Sequence, residues 1–308
     1  MKIGIIGLGT LGEYYARDFN RFNTKVIVSK NSTLKSTINK NNLLKKKYQL
    51  NIYAAKNYND FFNKKIDTVL ICSPSESHLY HLQKSINKQK NVIIEKPIIS
   101  LKKNLSKKYF IDKLNKILSH NKKIYYNLIN EYYAKKYLKL FTNHKFKNKK
   151  FDFIFHTNGN QKKENIMNDL LPHLFSILDN LLDYSTISNI KKSITLNKNI
   201  IQFYADDCLC NIEFIQRSKK KLKFGIDNFI VEREIYKKDG DIETFLEYKK
   251  TNKKIKTHNP LTENIKKIIL NDKKYDINAE YKKITNNFKK CCNIYYNLKL
   301  FFLYFLLK

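Results

Sequence analysis

Three side chains in this 308-residue sequence stand where they could move protons. Lys96 lies between Glu95 and Pro97, directly after the apolar run NVIIE, so it sits where a buried strand ends. Asp169 and His173 are four residues apart in DLLPHLFSILDNLL, residues 169–182, an amphipathic pattern that places both on one helical face. Reducing a carbonyl leaves an oxygen that must be protonated, and oxidising a hydroxyl needs a base. A lysine whose pKa is lowered by burial or a neighbouring cation suits that task, as does a histidine, which titrates near neutrality unaided. A carboxylate one turn away could orient the imidazole or the hydroxyl. Lys96 or His173 is the acid/base, and residue type alone does not separate them. Plainer roles compete: Lys96 is one of many lysines, Asp169 is a favoured helix N-cap type, and His173 could be a satisfied core histidine.

Such residues need a hydride donor or acceptor beside them, and the amino end offers a place to bind one. The run KIGII leads into Gly7-Leu8-Gly9-Thr10-Leu11-Gly12, and a helical pattern over 10–22 comes next. Strand, G-x-G-x-x-G and helix in that order form a dinucleotide-binding signature. Gly7 makes the turn, Gly9 lets backbone approach a pyrophosphate, and Gly12 lets helix pack on strand. The N–H groups at the helix start, around Thr10 and Leu11, hold the phosphates. Four of the seven glycines, Gly4, Gly7, Gly9 and Gly12, fall in the first dozen residues.

Further strands are read at 25–29, 51–53, 68–72, 91–95 and 123–127, with helices at 42–48, 58–63, 78–87 and 101–121 between them. Continuous apolar strands alternating with helices predict a parallel, doubly wound sheet, whose ligands gather at the carboxyl ends of the strands. Residues 7–12, Ser29 to Ser32, Ser73 to His78 and Glu95 to Pro97 all fall at such ends. At the second strand this fold usually presents an acid to the ribose 2′-OH. No carboxylate lies between Asp18 and Asp60; the strand ends in Ser29-Lys30-Asn31-Ser32. A cation and small polar groups would welcome a 2′-phosphate, so NADP(H) is expected over NAD(H).

The second half reads differently: helices at 131–141, 169–182, 260–270 and 278–296, a strand at 150–157, and short alternating segments over 190–248 typical of an antiparallel or mixed meander. The expected organisation is a Rossmann domain over 1–123 and an α+β substrate-binding and oligomerisation domain over 124–308.

Sixty Lys+Arg against 27 Asp+Glu give a formal charge of +33. The lysines are dispersed rather than gathered with aromatics on one face, so no nucleic-acid partner is expected. Richness in Asn, Ile and Tyr with no Trp fits compositional drift; an anionic substrate would also suit the charge. Five cysteines without a CxxC pair suit a reducing cytoplasm, and with a strand read from residue 2 no signal peptide is expected. The apolar run LKLFFLYFLL at 298–307 is about half of what a bilayer span needs, so no stable membrane insertion is expected. His78 and His81 are three apart on a helix with no third ligand in view; no metal site is expected, and His78 is assigned a cofactor contact at its helix start.

GIIGLGTLG, the run ICSPSESHLYHLQKSINKQKNVIIEKPI and the helix DLLPHLFSIL together resemble the Gfo/Idh/MocA (glucose–fructose oxidoreductase / inositol dehydrogenase) family of oxidoreductases. The resemblance covers about residues 1–182 and is only general beyond. It implies a nicotinamide near Ser73, Pro74, Glu95 and Lys96, with Lys96, Asp169 and His173 gathered around the reacting carbon. It further implies a small-molecule substrate, a sugar or nucleotide-linked sugar, and a homodimer or homotetramer. The family's Arg-containing segment after the last Rossmann strand is missing: residues 126–131 read YNLINE. Imine reduction of the thiazoline type, biliverdin-like reduction, or a catalytically silent nucleotide sensor are the alternatives on the same fold.

Overall fold

The computed structural model describes residues 1–22, 24–102, 104–238, 241–257, 259–270 and 275–296; the apolar run at 298–307 lies outside them. The chain divides into two compact units, Met1–Asn127 with Leu261–Asn286, and Leu128–Pro260 with Asn287–Lys308. Their elements run β1 (Lys2–Ile6), α1 (Thr10–Arg21), β2 (Lys25–Lys30), α2 (Leu34–Tyr48), β3 (Tyr53–Ala54), α3 (Tyr58–Phe62), β4 (Thr68–Ile71), α4 (His78–Asn87), β5 (Asn91–Glu95), α5 (Lys107–Leu118) and β6 (Ile124–Asn127). Then come α6 (Glu131–Leu140), β7 (Lys150–His156), α7 (Glu164–Leu181), β8 (Ile187–Ile194), β9 (Lys198–Ala205), β10 (Cys208–Ile215), β11 (Lys221–Ile226), β12 (Phe229–Lys238), β13 (Asp241–Tyr248), β14 (Lys253–Thr257), α8 (Pro260–Leu270) and α9 (Ile277–Tyr296).

The first unit is a Rossmann sheet. Its order is β3-β2-β1-β4-β5-β6, every pairing parallel. β4 and β6 are buried along their whole length, as strands of a parallel sheet are, and carry no charged residue. β6 pairs with β5 from Ile124 to Asn127, so this unit extends past the boundary expected at residue 123. The larger difference is the return of 261–286. Ile265 and Ile268 of α8 pack into the same core as Ile3, Phe19, Leu70 and Ile93. Tyr275 closes the edge of β6, its hydroxyl donating to the Ile124 carbonyl at 2.8 Å.

The second unit is an eight-stranded mixed sheet of order β14-β13-β12-β11-β7-β10-β9-β8. β7 lies in the middle, parallel to β10 and antiparallel to β11. Period-two burial runs through β7, β9 and β10, and it turns Phe151, Phe153, Phe203 and Phe214 to one face. α7 covers that face with Leu170, Leu174, Phe175 and Leu178.

Two helices begin earlier than their sequence pattern suggests. α2 starts at Leu34, where the Thr33 hydroxyl accepts from the Ser36 N–H. α7 starts at Glu164, so Asp169 lies in the second turn and is not an N-cap. Among the described residues no helix is long and apolar enough to cross a membrane.

Candidate functional site

In the first unit the sequence folds so that three strand ends open on one pocket of about 850 Å³. β1 contributes the glycine turn. Gly7 has φ +97°, a left-handed backbone, and a Cβ there would come within 2.5 Å of the Ser73 amide nitrogen. A Cβ on Gly12 would lie 2.2 Å from the Gly7 carbonyl oxygen, so glycine is what brings α1 against the turn. Gly9 faces open space and caps α1 without any side-chain bond. The first-turn N–H groups around Thr10 and Leu11, both in the pocket wall, are therefore not capped by a side chain. This cradle, open beside Gly9 and of dinucleotide size, fits a pyrophosphate.

β2 contributes the second wall. Lys30, Asn31 and Ser32 line it, joined by Ser36 and Lys40 from α2. Asn31 is structural as well, because its Oδ1 accepts from the Leu8 N–H at 2.7 Å and fixes the glycine turn. Burial lowers the pKa of Lys30, whose ammonium donates to the Asn31 carbonyl at 3.0 Å. Ser29 points the other way: it is buried and donates to Asn41 Oδ1 at 2.7 Å. The third wall comes from β4 and the turn after it, with Ser73, Pro74, Glu76 and Ser77, and from Tyr58 and His81.

Three further residues assigned to cofactor contact from sequence do other work or stand elsewhere. His78 is buried, with Nδ1 2.8 Å from the Pro97 carbonyl and Nε2 2.8 Å from the Ser73 carbonyl. Burial lowers its pKa, while the two carbonyls beside its nitrogens pull the other way. The ring thus bridges the loops after β4 and β5. Glu95 is turned into the interior, where it accepts from the Tyr15 hydroxyl at 2.5 Å and from the Asn127 side-chain amide. Burial pushes its carboxyl pKa up. Lys96 is partly exposed and is not among the residues lining the glycine-turn pocket; its peptide bond to Pro97 is cis.

In the second unit, α7 carries Asp169, half-buried, and His173, 6 % exposed. The His173 ring meets the Phe155 ring edge-on at 5.1 Å. Gln216, just beyond β10, donates to Asp169 Oδ2 at 3.4 Å and accepts from the Thr157 hydroxyl at 3.0 Å. Among the described residues no cluster of His, Cys, Asp or Glu could hold a metal ion. Sequence reasoning missed Tyr58, His81, Ser36 and Lys40; the last two become visible only once α2 is known to begin at Leu34.

Strand order, glycine turn and pocket define a dinucleotide-binding Rossmann unit. Residues 1–121 match the family model GFO_IDH_MocA, described as oxidoreductase family, NAD-binding Rossmann fold. Over these residues the chain is similar to that family of NAD-binding oxidoreductases. No curated protein matches the chain in sequence. Solved structures share the fold over nearly the whole chain. One is a UDP-N-acetylglucosamine 3-dehydrogenase from Acidithiobacillus ferrooxidans, with TM-score 0.63, 9% identity, and 95% of this chain and 99% of that one covered. A second is a variant of a 3-ketoreductase from Actinomadura kijaniata in complex with TDP-benzene and NADP (0.67, 8%, 96% and 95%). A third is the WlbA dehydrogenase from Thermus thermophilus in complex with NAD and UDP-GlcNAcA (0.64, 11%, 97% and 94%).

Proposed function

We propose that the protein is an NADP(H)-dependent oxidoreductase that interconverts a hydroxyl and a carbonyl on a sugar or nucleotide-linked sugar. The observation that carries the cofactor half is the wall after β2. Lys30, Ser32, Ser36 and Lys40 line it, and no carboxylate lies between Asp18 and Asp60. Two ammonium groups and two hydroxyls complement a 2′-phosphate, where an acid would repel it. The substrate half rests on the relatives: two of the three carry a UDP-sugar in their descriptions.

When bound, the nicotinamide gives or takes the hydride. Lys96 or His173 moves the proton on the substrate oxygen, and Asp169 orients it. His78, by bridging the Ser73 and Pro97 carbonyls, holds the strand end from which Lys96 projects. The test is a screen of UDP- and TDP-sugars with NADP⁺ and NADPH, read at the reduced nicotinamide absorbance. With a substrate in hand, Lys96→Ala and His173→Ala are each expected to lower kcat by about 10²–10⁴-fold while NADPH affinity holds. Full turnover by both variants would remove the assignment.

A further inference from the structure

We propose that Arg233 and Tyr133 form an anion subsite in the second unit, which takes a carboxylate or a phosphate of the substrate. This rests on the oxidoreductase reading and deepens it by naming a charge that its substrate carries. Neither residue belongs to the cofactor pocket or to the proton-transfer set.

Of the 60 basic residues only four are arginines, Arg17, Arg21, Arg217 and Arg233. Arg17 and Arg21 pair with Asp18, at 2.8 and 3.9 Å. Arg233, half-buried on β12, has no such partner. Its Nε is buried, and among the described residues its guanidinium makes no ion pair or hydrogen bond. The carboxylates beside it in sequence are engaged elsewhere. Glu232 holds Lys223 and Lys249, each at 2.9 Å, and Glu234 lies 4.0 Å from Lys249. Alternation along the strand turns both to the open face, while Arg233 shares the face of the fully buried Val231.

What Arg233 does meet is aromatic. Its guanidinium carbon lies 5.7 Å from the centre of the Tyr133 ring on α6. Such a contact holds the cation in place and leaves the N–H groups in its own plane able to donate. Tyr133 is 2 % exposed, and its hydroxyl has no hydrogen bond among the described residues. Asn130, three residues earlier and so on the same helical face, is 1 % exposed, and its side-chain amide nitrogen has no partner either. A guanidinium fork, a phenol and an amide therefore stand on one stretch of α6 and β12 as donors without protein acceptors. Buried donors left unpaired are unfavourable, and a ligand rich in acceptors relieves that.

That chemistry selects an anion with two oxygens side by side. A guanidinium offers parallel N–H groups that match a carboxylate or a phosphate, and a neutral hydroxyl gains much less from it. The location suits a substituent of a sugar. Arg233 pairs with Leu246 on β13 and follows Glu232, the partner of Lys223 on β11. Leu222, next to Lys223, pairs with Phe155 on β7, whose ring meets that of His173. Arg233 and Phe155 are therefore on one row of the same face, two strand spacings or about 10 Å apart. A hexose carrying an anionic group can span that distance from His173 to the guanidinium.

The experiment is isothermal titration of the full chain and of Arg233→Gln, Arg233→Lys and Tyr133→Phe with UDP-glucose, UDP-glucuronate and glucose 1-phosphate. Arg233→Gln is expected to weaken at least one probe by about tenfold or more and to leave NADPH affinity within twofold. A loss confined to UDP-glucuronate identifies a carboxylate as the group taken, and a loss that extends to UDP-glucose or glucose 1-phosphate identifies a phosphate. Arg233→Lys keeps the charge without the fork, and about threefold weaker binding of the same probe is expected. Tyr133→Phe keeps the ring and loses the hydroxyl; about threefold weaker binding is expected, and this variant serves where Arg233→Gln fails to fold. Arg233→Gln, or Tyr133→Phe in its place, binding all three probes as the parent does would overturn the subsite, as would a parent that binds none of them. Turnover of a neutral sugar would then leave the oxidoreductase reading standing. Anion binding that Arg233→Gln abolishes in a chain that turns over no sugar would keep the subsite and remove that reading.

Discussion

The two units place their polar chemistry by different means. In the first, a parallel sheet delivers every strand end to one side, and the site is built from the segments just past those ends: a glycine turn after β1, Lys30 to Ser32 after β2, Ser73 to Ser77 after β4. In the second, a mixed sheet gives no such common edge. Its chemistry-bearing residues lie on a helix, Asp169 and His173 on α7, with Gln216 donating to Asp169 and Thr157 donating to Gln216 from the ends of neighbouring strands. A parallel sheet therefore makes a site from sequence-local motifs, while a mixed sheet makes one from residues far apart in the chain.

The contrast can be broken first at the glycine turn, where the largest effect is expected. Gly7→Ala forces a left-handed backbone onto an L-residue and drives its Cβ into the Ser73 backbone. A loss of about 2–4 kcal/mol in urea unfolding and no measurable NADPH binding are expected.

Next comes the pH response of one buried group in each unit, of the same sign but in separate windows. Burial lowers Lys192 on β8 to about 7, and its ammonium donates to the Ile294 carbonyl at 2.5 Å. Between about pH 7 and 10 the unfolded chain holds a proton that the folded one has lost, so stability rises with pH across that window. Lys192→Met is expected to remove roughly 2–4 kcal/mol of that rise, read as Tm against pH for variant and parent. His81 in the first unit has its folded pKa depressed to about 4. There the unfolded chain holds the extra proton between about pH 6.5 and 4, so stability falls as pH falls through that range. His81→Gln is expected to flatten the acid side alone.

Two smaller changes sharpen the comparison at α2. Lys40→Glu is expected to weaken NADPH by about tenfold and to move NADH less than twofold in the same titration. Thr33→Ala removes the cap that begins α2 and is expected to cost about 1 kcal/mol of stability.

The same contrast decides how much was legible in the sequence. The Gly7 to Gly12 turn, the strand ends and the Rossmann class were readable because each is a contiguous run. The inward turn of Ser29 and Glu95 was not, because strand position alone does not say which face a side chain takes. Ser29 bonds Asn41 and Glu95 bonds Tyr15, partners 12 and 80 residues away. The return of α8 to the first core was hidden for the same reason: Ile265 and Ile268 look like any amphipathic helix until Ile3 and Leu70 are beside them. The middle position of β7 in its sheet depends on pairing with β10 and β11 and leaves no local mark.

The central claim, that the wall after β2 was shaped for a phosphate, is tested most directly by titrating the protein with NADPH and with NADH while following the fluorescence of the reduced nicotinamide at fixed ionic strength. With Lys30 and Lys40 in the pocket wall after β2 and no acid among residues 19–59, NADPH is expected to bind about tenfold tighter or more. Equal affinities, or NADH the tighter of the two, would contradict it.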